Sequence, residues 1–261
     1  MKKILITGKG SYIGTHVKAY LDTFTRDYIV DELDMLDAAW ESFDFTDYDV
    51  VYHVAGIAHI KETKENEHLY YTVNRDLAVQ VAEKAKCAGV KQFIFMSSMS
   101  VYGMNISDKP LTVETKCNPN TFYGISKFQA EEKLMQMQSQ EFRVCILRPP
   151  MVYGEDSPGN LSKLFRAVRK IHLFPTIKNQ RSSITVHKLA EMIKFYVDSE
   201  AEGIFLPQND DYMCTYQIVK EKMEAENVKV IYISVFNPII RLLIGKIDIV
   251  TKCFGDLIYE K

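Results

Sequence analysis

The chain has 261 residues, of which 47% are hydrophobic and 25% charged, with a net charge of -2. That length buries a full core as one large domain or as a domain with a smaller lobe, and the composition is that of a globular protein, not a fibrous or disordered one. Lysines and arginines are spread along the chain without a basic block, which removes nucleic acid as an expected partner. The five cysteines, Cys87, Cys117, Cys145, Cys214 and Cys253, are odd in number and never form C-x-x-C, so neither a disulfide framework nor a zinc site is expected, and a reducing cytoplasm fits.

The start is basic and then apolar, but the apolar run ends at Thr7-Gly8, too short for a signal peptide. Residues 3 to 7 read as a buried strand, and Gly8 to Gly14 as a glycine-rich turn. Ile13, Val17, Leu21 and Phe24 then fall at helical spacing, and Tyr28 to Leu33 is a second strand. Strand, glycine turn, helix, strand is the first unit of a parallel nucleotide-binding sheet.

The alternation continues. Asp49 to Ala55 reads as a strand; Leu69, Val73, Leu77, Val81 and Ala85 make one helix face that stops at Gly89; Gln92 to Ser98 is the next strand. Tyr123 to Gln138 reads as a helix and Arg143 to Leu147 as a strand, which together predict an α/β fold: a Rossmann-type, doubly wound parallel sheet. Pro149-Pro150 breaks the rhythm, so residues 1–150 are expected to form the dinucleotide-binding domain. Residues 151–261 would be mainly a smaller lobe that binds substrate, with 184–208 returning to the sheet. Beyond Pro150 a helix over Leu161 to Ile171, short strands near Ile184 and Gly203, and a strand over Val228 to Ile233 are predicted. Residues 230–250 are apolar, yet Pro238, Arg241, Lys246 and Asp248 argue against an integral membrane segment and for a buried or amphipathic helix.

Two clusters carry chemistry. In Thr7-Gly8-Lys9-Gly10-Ser11-Tyr12-Ile13-Gly14 the glycines admit a pyrophosphate to the backbone, and the following helix aims its N-terminal N–H groups at it. Asp34, 20 residues past Gly14, is the chosen partner for the adenosine ribose, with Asp31 as competitor. That favours NAD over NADP, while Lys9 pulls toward a 2′-phosphate. Asp44 and Phe45 are read either as adenine contacts or as a surface carboxylate beside a core ring. The second cluster is Ser98 with Tyr123 and Lys127. A Tyr hydroxyl with an unperturbed pKa near ~10 is a poor base at neutral pH. A Lys one helical turn along lies on the same face, and its charge favours phenolate. His53 and His59 flank a strand end and are read as structural; the charged run Lys61 to His68 is read as a solvated loop and helix start.

The turn, His53-Val54-Ala55-Gly56, Asn74, Ser97-Ser98 with Val101-Tyr102-Gly103, Tyr123-x-x-x-Lys127, and Leu147-Arg148-Pro149-Pro150 with Val152-Tyr153-Gly154 occur in one order. Over residues 3–190 the chain resembles the extended short-chain dehydrogenase/reductase family, the NAD-dependent nucleotide-sugar epimerases and dehydratases. The resemblance implies that Tyr123 is the acid/base, Lys127 its partner and a ribose ligand, and Ser98 the substrate-orienting hydroxyl. Gly8, Gly10 and Gly14 would hold NAD(P), with Ala55 and Pro149 lining its pocket, while Arg181, and more weakly Asn160, would meet the diphosphate of a nucleotide-sugar substrate.

Some residues depart from the family pattern. Ser11 stands at the usual middle glycine of T-G-x-x-G-x-x-G, residues 34–49 are too few for the usual helix plus strand, and Met99-Ser100 replaces the Asp-Glu of sugar dehydratases. His187-Lys188 stands where an acidic pair is usual. The expected activity is therefore epimerisation or 4-keto reduction, not elimination of water. The ending Lys252 to Leu257 is similar to that of relatives in bacterial surface-polysaccharide pathways. A homodimer is common in the family, though nothing in the sequence shows an interface. The rival expectation is a non-catalytic NAD(P)-binding sensor or scaffold; such relatives typically lose the Tyr or Lys that this chain keeps.

Overall fold

The computed structural model describes residues 1–58 and 60–261. In chain order the elements are β1 (Lys2–Thr7), α1 (Tyr12–Leu21), β2 (Tyr28–Leu33), β3 (Val50–His53), α2 (Glu67–Tyr70), α3 (Leu77–Cys87), β4 (Gln92–Met96), α4 (Phe122–Met135) and β5 (Arg143–Leu147). There follow β6 (Met151–Tyr153), α5 (Asn160–Ile171), β7 (Leu173–Pro175), β8 (Ser183–Thr185), α6 (Val186–Asp198), β9 (Gly203–Phe205), α7 (Thr215–Ala225), β10 (Ile231–Ile233), α8 (Asn237–Leu243) and α9 (Asp248–Phe254). They form two compact units. The first takes residues 1–103, 116–150 and 185–207; the second takes 104–115, 151–184 and 208–261.

The first unit is built on a six-stranded sheet in the order β2-β1-β3-β4-β5-β9. Every pair is parallel. Leu5 and Ile6 of β1, and the runs in β3, β4 and β5, are apolar on both faces because helices cover both sides of a parallel sheet. The order reverses between β1 and β3, and in open α/β sheets that reversal opens a crevice at the carboxyl ends of the strands. The glycine turn and the Val54-Ala55-Gly56 loop meet there.

Where the observed bounds differ from the sequence reading, a hydrogen bond accounts for it. β3 stops at His53 because the N–H groups of Val54 and Ala55 both turn to the Thr7 carbonyl, at 3.1 and 2.9 Å. β4 stops at Met96, where Ser97 N–H makes the last rung to the Leu147 carbonyl of β5 at 2.8 Å and is shared with the Phe95 carbonyl two residues back at 3.1 Å. Between β2 and β3 a single 3₁₀ turn, Ala38–Glu41, replaces a helix, and its Trp40 joins the core beside Phe45 and Val51.

The helix expected on Leu69, Val73 and Leu77 differs more. A π-helical segment, Tyr71–Asp76, joins α2 to α3 and advances the buried face by one residue. Tyr70, Asn74 and Ala78 are buried, whereas Leu69 is 41% exposed.

In the second unit β7 pairs with β10 and β6 with β8. Its core packs Val168 of α5 against Phe174, Val219 and Met223. No helix among the described residues is long and apolar enough to cross a membrane.

Arg148 and Glu131 form a buried pair behind the sheet's carboxyl edge, the Arg148 guanidinium donating to both carboxylate oxygens at 2.7 to 3.1 Å. Removing one partner strands the other charge, so Glu131→Gln is expected to lower stability by about 3 to 5 kcal/mol. The double variant Glu131→Leu with Arg148→Met should lose less than either single change. Urea unfolding midpoints of Glu131→Gln, of the singles Glu131→Leu and Arg148→Met, and of their double check this.

Candidate active site

The cofactor end of the site is set by backbone geometry. Gly8 has φ +119°, and a Cβ on it would lie 2.9 Å from the Ala55 nitrogen, so no side chain fits. Gly8 and Lys9 N–H groups both donate to the Leu33 carbonyl, which ties the turn to the end of β2. Ser11, at the usual middle glycine, is the N-cap of α1, its hydroxyl accepting from Gly14 N–H at 3.2 Å. A Cβ on Gly14 would come within 2.6 Å of that hydroxyl oxygen. The first turn of α1, which opens with Tyr12 and Ile13, carries no acidic residue, so nothing opposes an anion at its N-terminus.

At the end of β2, Asp34 is exposed and its carboxylate accepts from Leu36 N–H at 2.9 Å. Asp31 accepts from the Tyr48 hydroxyl at 2.9 Å. Glu32, which the sequence reading passed over, sits in register beside Ile6 and has a buried carboxylate oxygen with no hydrogen-bond partner among the described residues. Asp44 is exposed, and its bond to Thr46 N–H holds its carboxyl below the usual range. Phe45 is 1% exposed within the core.

The chemical end sits where β4 meets α4. Ser98 follows the end of β4 by two residues and caps the 3₁₀ turn Met99–Tyr102, accepting from Ser100 N–H at 3.1 Å and donating to the Ser100 hydroxyl at 3.2 Å. Met99 N–H donates to the carbonyl of the buried Pro149 at 2.9 Å. Tyr123 lies in the first turn of α4 and is half-buried. The Glu62 carboxylate accepts from the N–H groups of Phe122 and Tyr123 at 2.9 and 3.0 Å, fixing that turn from the charged run. Its partners stand 60 and 61 residues away, so no local sequence pattern points to it.

Burial raises the Tyr123 phenol above its ordinary value, and a hydrogen bond with Ser98 draws it back down. Lys127 does not act on the phenol in this geometry. Its buried ammonium donates to the Met96 carbonyl at 2.8 Å and lies 4.6 Å from the centre of the Phe95 ring. Burial lowers its pKa to about 7.

Asn74, delivered by the π segment, accepts from Ile57 N–H at 2.9 Å and donates to the Ser126 hydroxyl at 3.3 Å. Its amide oxygen and the Lys127 ammonium crowd the space where a Cβ on Gly56 would be, which explains that glycine. His53 is fully buried, bonded to the Thr7 hydroxyl at 2.7 Å and stacked near Phe93 and Phe95; burial drops its pKa to about 3. His59 lies outside the described residues.

Ser98, Tyr123, Lys127, Ala55, Pro149 and the glycine turn are all in the first unit. Asn160 and Arg181 are in the second. Asn160 opens α5 and is exposed. Arg181 donates to the Gly255 carbonyl at 2.9 Å and the Asn105 carbonyl at 3.4 Å, and burial lowers its pKa.

A glycine cradle that a Cβ would fill, a helix N-terminus with no acidic residue in its first turn and an orphaned buried carboxylate oxygen together fit a dinucleotide. A tyrosine and lysine one turn apart beside that cradle define an NAD(P)-dependent enzyme of Rossmann fold. The model of the NAD dependent epimerase/dehydratase family matches residues 4–205, and the chain belongs to that family. It is 31% identical to a UDP-glucose 4-epimerase of Vibrio cholerae over 98% of this chain and 86% of that one. An Escherichia coli O157:H7 relative, an N-acetyl-alpha-D-glucosaminyl-diphospho-ditrans,octacis-undecaprenol 4-epimerase, is 26% identical over 97% of this chain and 81% of its own. Among solved structures, UDP-glucuronic acid 4-epimerase from Bacillus cereus in complex with NAD superposes with a TM-score of 0.75 at 18% identity, covering 89% of this chain and 86% of that one.

The Lys127 environment has a pH signature. Between about pH 7 and 10.5 the unfolded chain carries a proton on this lysine that the folded chain lacks. The group's contribution to stability is therefore full above that window and is lost as the pH falls toward 7. The stability gap between the wild type and Lys127→Met, from urea unfolding, is expected to move in favour of the wild type from pH 7 to pH 10; a gap that stays flat would mean the lysine is not held neutral by burial.

Proposed function

We propose that the chain epimerises, or reduces a keto group at, a carbon of a nucleotide-linked sugar, with Tyr123 moving the proton. The observation that carries this reading is the placement of Tyr123: in the first turn of α4, hydrogen-bonded with Ser98 and one turn ahead of a buried lysine. Bound at the glycine turn, NAD(P) would supply the hydride acceptor and donor for the sugar carbon.

In this reading the Tyr123 phenolate takes the proton of the sugar hydroxyl as the carbonyl forms and gives it back as the carbonyl is reduced. In an epimerase both halves occur at one carbon and the proton balance on Tyr123 is restored each cycle. In a reductase only the second half occurs, and the tyrosine is reprotonated from solvent. Ser98 orients the same oxygen. Lys127 holds the cofactor's ribose and, once drawn off the Met96 carbonyl, favours the phenolate.

Gly8, Gly10, Ser11, Tyr12, Ile13 and Gly14 would bind the pyrophosphate, Ala55 and Pro149 would line the pocket, and Asp44 would be the candidate on the adenine side, its neighbour Phe45 being buried in the core. For the adenosine ribose, Glu32 joins Asp34 as a candidate, because its buried oxygen lacks a partner among the described residues. Residues 1–150 with 184–208 would serve as the dinucleotide domain. Residues 151–261 would mainly bind the sugar nucleotide, with Asn160 and Arg181 on its diphosphate. The names of the Vibrio and Escherichia relatives both specify 4-epimerisation, which supports carbon 4 as the reacting centre and a role in surface-polysaccharide synthesis. Met99 and Ser100, where dehydratases carry an acid pair, leave no carboxyl group to eliminate water.

Incubation with UDP-, GDP- and dTDP-sugars while following the absorbance of reduced nicotinamide separates the two outcomes. A changed sugar without net absorbance change is expected for an epimerase, and net oxidation for a reductase. Tyr123→Phe should lower turnover by about 100- to 10,000-fold, with NAD(P) affinity, measured by calorimetry, nearly unchanged. Wild-type turnover in that variant would sink the mechanism, and a wild type that binds no NAD(P) would sink the cofactor site as well.

A further inference from the structure

The second unit carries an apolar face that its own core does not use. β7 and β10 pair side by side, and α8 follows directly on β10. Leu173, Pro175, Ile233, Phe236, Ile239 and Ile240 line one concavity there, with no charged or hydrogen-bonding side chain among them. α8 buries none of its residues. Ile231 is 66% exposed, Phe236 49%, Ile239 57% and Leu242 69%. Soluble domains rarely leave so many large apolar side chains together in water.

The segments that supply this face carry charges of one sign. From residue 157 to 184 the chain holds Lys163, Arg166, Arg169, Lys170, Lys178 and Arg181 and no Asp or Glu; from 227 to 247 it holds Lys229, Arg241 and Lys246, again with no carboxylate. Arg169 is paired with Glu226, which caps the C-terminus of α7; Glu224 of α7, which acts on Tyr232 of β10, is paired with Lys220 at 3.8 Å; and Arg181 is turned to backbone carbonyls. Lys163, Arg166, Lys170, Lys178, Lys229, Arg241 and Lys246 are exposed. The histidine between α5 and β7, His172, bonds the Lys229 carbonyl at 2.8 Å, which places Lys229 at the joined strands. The nearest carboxylate beyond α8, Asp248, is paired with Lys252 at 2.7 Å. Protein interfaces are depleted of lysine, whereas an apolar face whose unpaired neighbouring charges are lysine and arginine is the pattern of a helix lying in a lipid headgroup layer.

We propose that the β7–β10–α8 face docks peripherally on an anionic phospholipid bilayer, with Phe236, Ile239 and Leu242 entering the headgroup region and Lys229, Arg241 and Lys246 meeting lipid phosphates. The binding needs no spanning helix: apolar insertion and cation attraction act together, and salt weakens the second part. The inference does not rest on the chemistry assigned to Tyr123.

The test is co-sedimentation of the purified full chain with vesicles of phosphatidylethanolamine and phosphatidylglycerol, against vesicles of phosphatidylcholine. The anionic vesicles are expected to bind about tenfold or more tightly than the neutral ones and to release protein as salt rises. The pair Phe236→Ser with Ile239→Ser, and separately the set Lys229→Glu, Arg241→Glu and Lys246→Glu, should each cut partitioning by about tenfold. These positions are exposed, so an unchanged circular dichroism spectrum and unchanged turnover on a water-soluble substrate would show that the fold and the active site survive. No vesicle binding by the wild type, or binding that neither set of changes weakens, overturns the proposal. So does a dimer in light scattering that Phe236→Ser with Ile239→Ser dissociates, because the face would then belong to a second copy. None of these failures touches the reading of the active site.

Discussion

The active site is held from behind by the Arg148–Glu131 pair. Glu131 stands one helical turn beyond Lys127 on α4, and Arg148 one residue past β5. The carboxylate also accepts from the Ser97 hydroxyl, next to Ser98, and the guanidinium donates to the Tyr102 hydroxyl at 3.0 Å. One buried ionic cluster thus joins the ends of β4 and β5, the 3₁₀ turn that Ser98 caps, and the helix that carries Tyr123 and Lys127. Burial works against the Arg148 charge, but Glu131 and Tyr102 outweigh it and keep the guanidinium firmly protonated. A buried pair of this kind adds little to stability over an apolar replacement; what it adds here is a fixed distance between the strand that supplies the hydroxyl and the helix that supplies the phenol.

The parts of the fold that were legible in the sequence are those where a local pattern and the tertiary structure agree. β2 and β5 occur at the residues their patterns mark: β5 is buried continuously from Val144 to Leu147, whereas β2, at the sheet edge, buries only alternate residues, Tyr28 and Val30. The glycine turn was legible because Gly8 must adopt a positive φ against Ala55. The helix before β4 was legible as a helix but not in its buried face, since periodicity assumes a constant pitch and the π segment breaks it. Glu62, Glu131 and Arg148 escaped functional notice for another reason. Each reads alone as a surface charge, and only the fold brings together partners 17 or 60 residues apart. Glu32 was masked by its neighbours Asp31 and Asp34, and burial alone distinguishes the three.

The two units differ in how they use charge. In the first, the telling charges are buried and paired or forced toward neutrality: Arg148 with Glu131, and Lys127 with a pKa near 7. In the second they are exposed and of one sign along the segments that meet at β7 and β10. A net charge of -2 for the whole chain conceals both arrangements. Average composition therefore says little about either surface.

The π segment at Tyr71–Asp76 also sets how the helix tolerates insertions and deletions. A π turn holds an extra residue within one turn, so it acts as a phase shifter between α2 and α3. Loss of a single residue there would leave the apolar content of the helix untouched, yet it would rotate one half against the other by about 100°. Asn74 would leave Ile57 and Ser126, and the loop that closes over Lys127 would lose its anchor. Length in this helix is thus as strongly constrained as identity. A relative aligned with a one-residue gap between residues 71 and 76 would have to hold its Gly56 loop by some other bond.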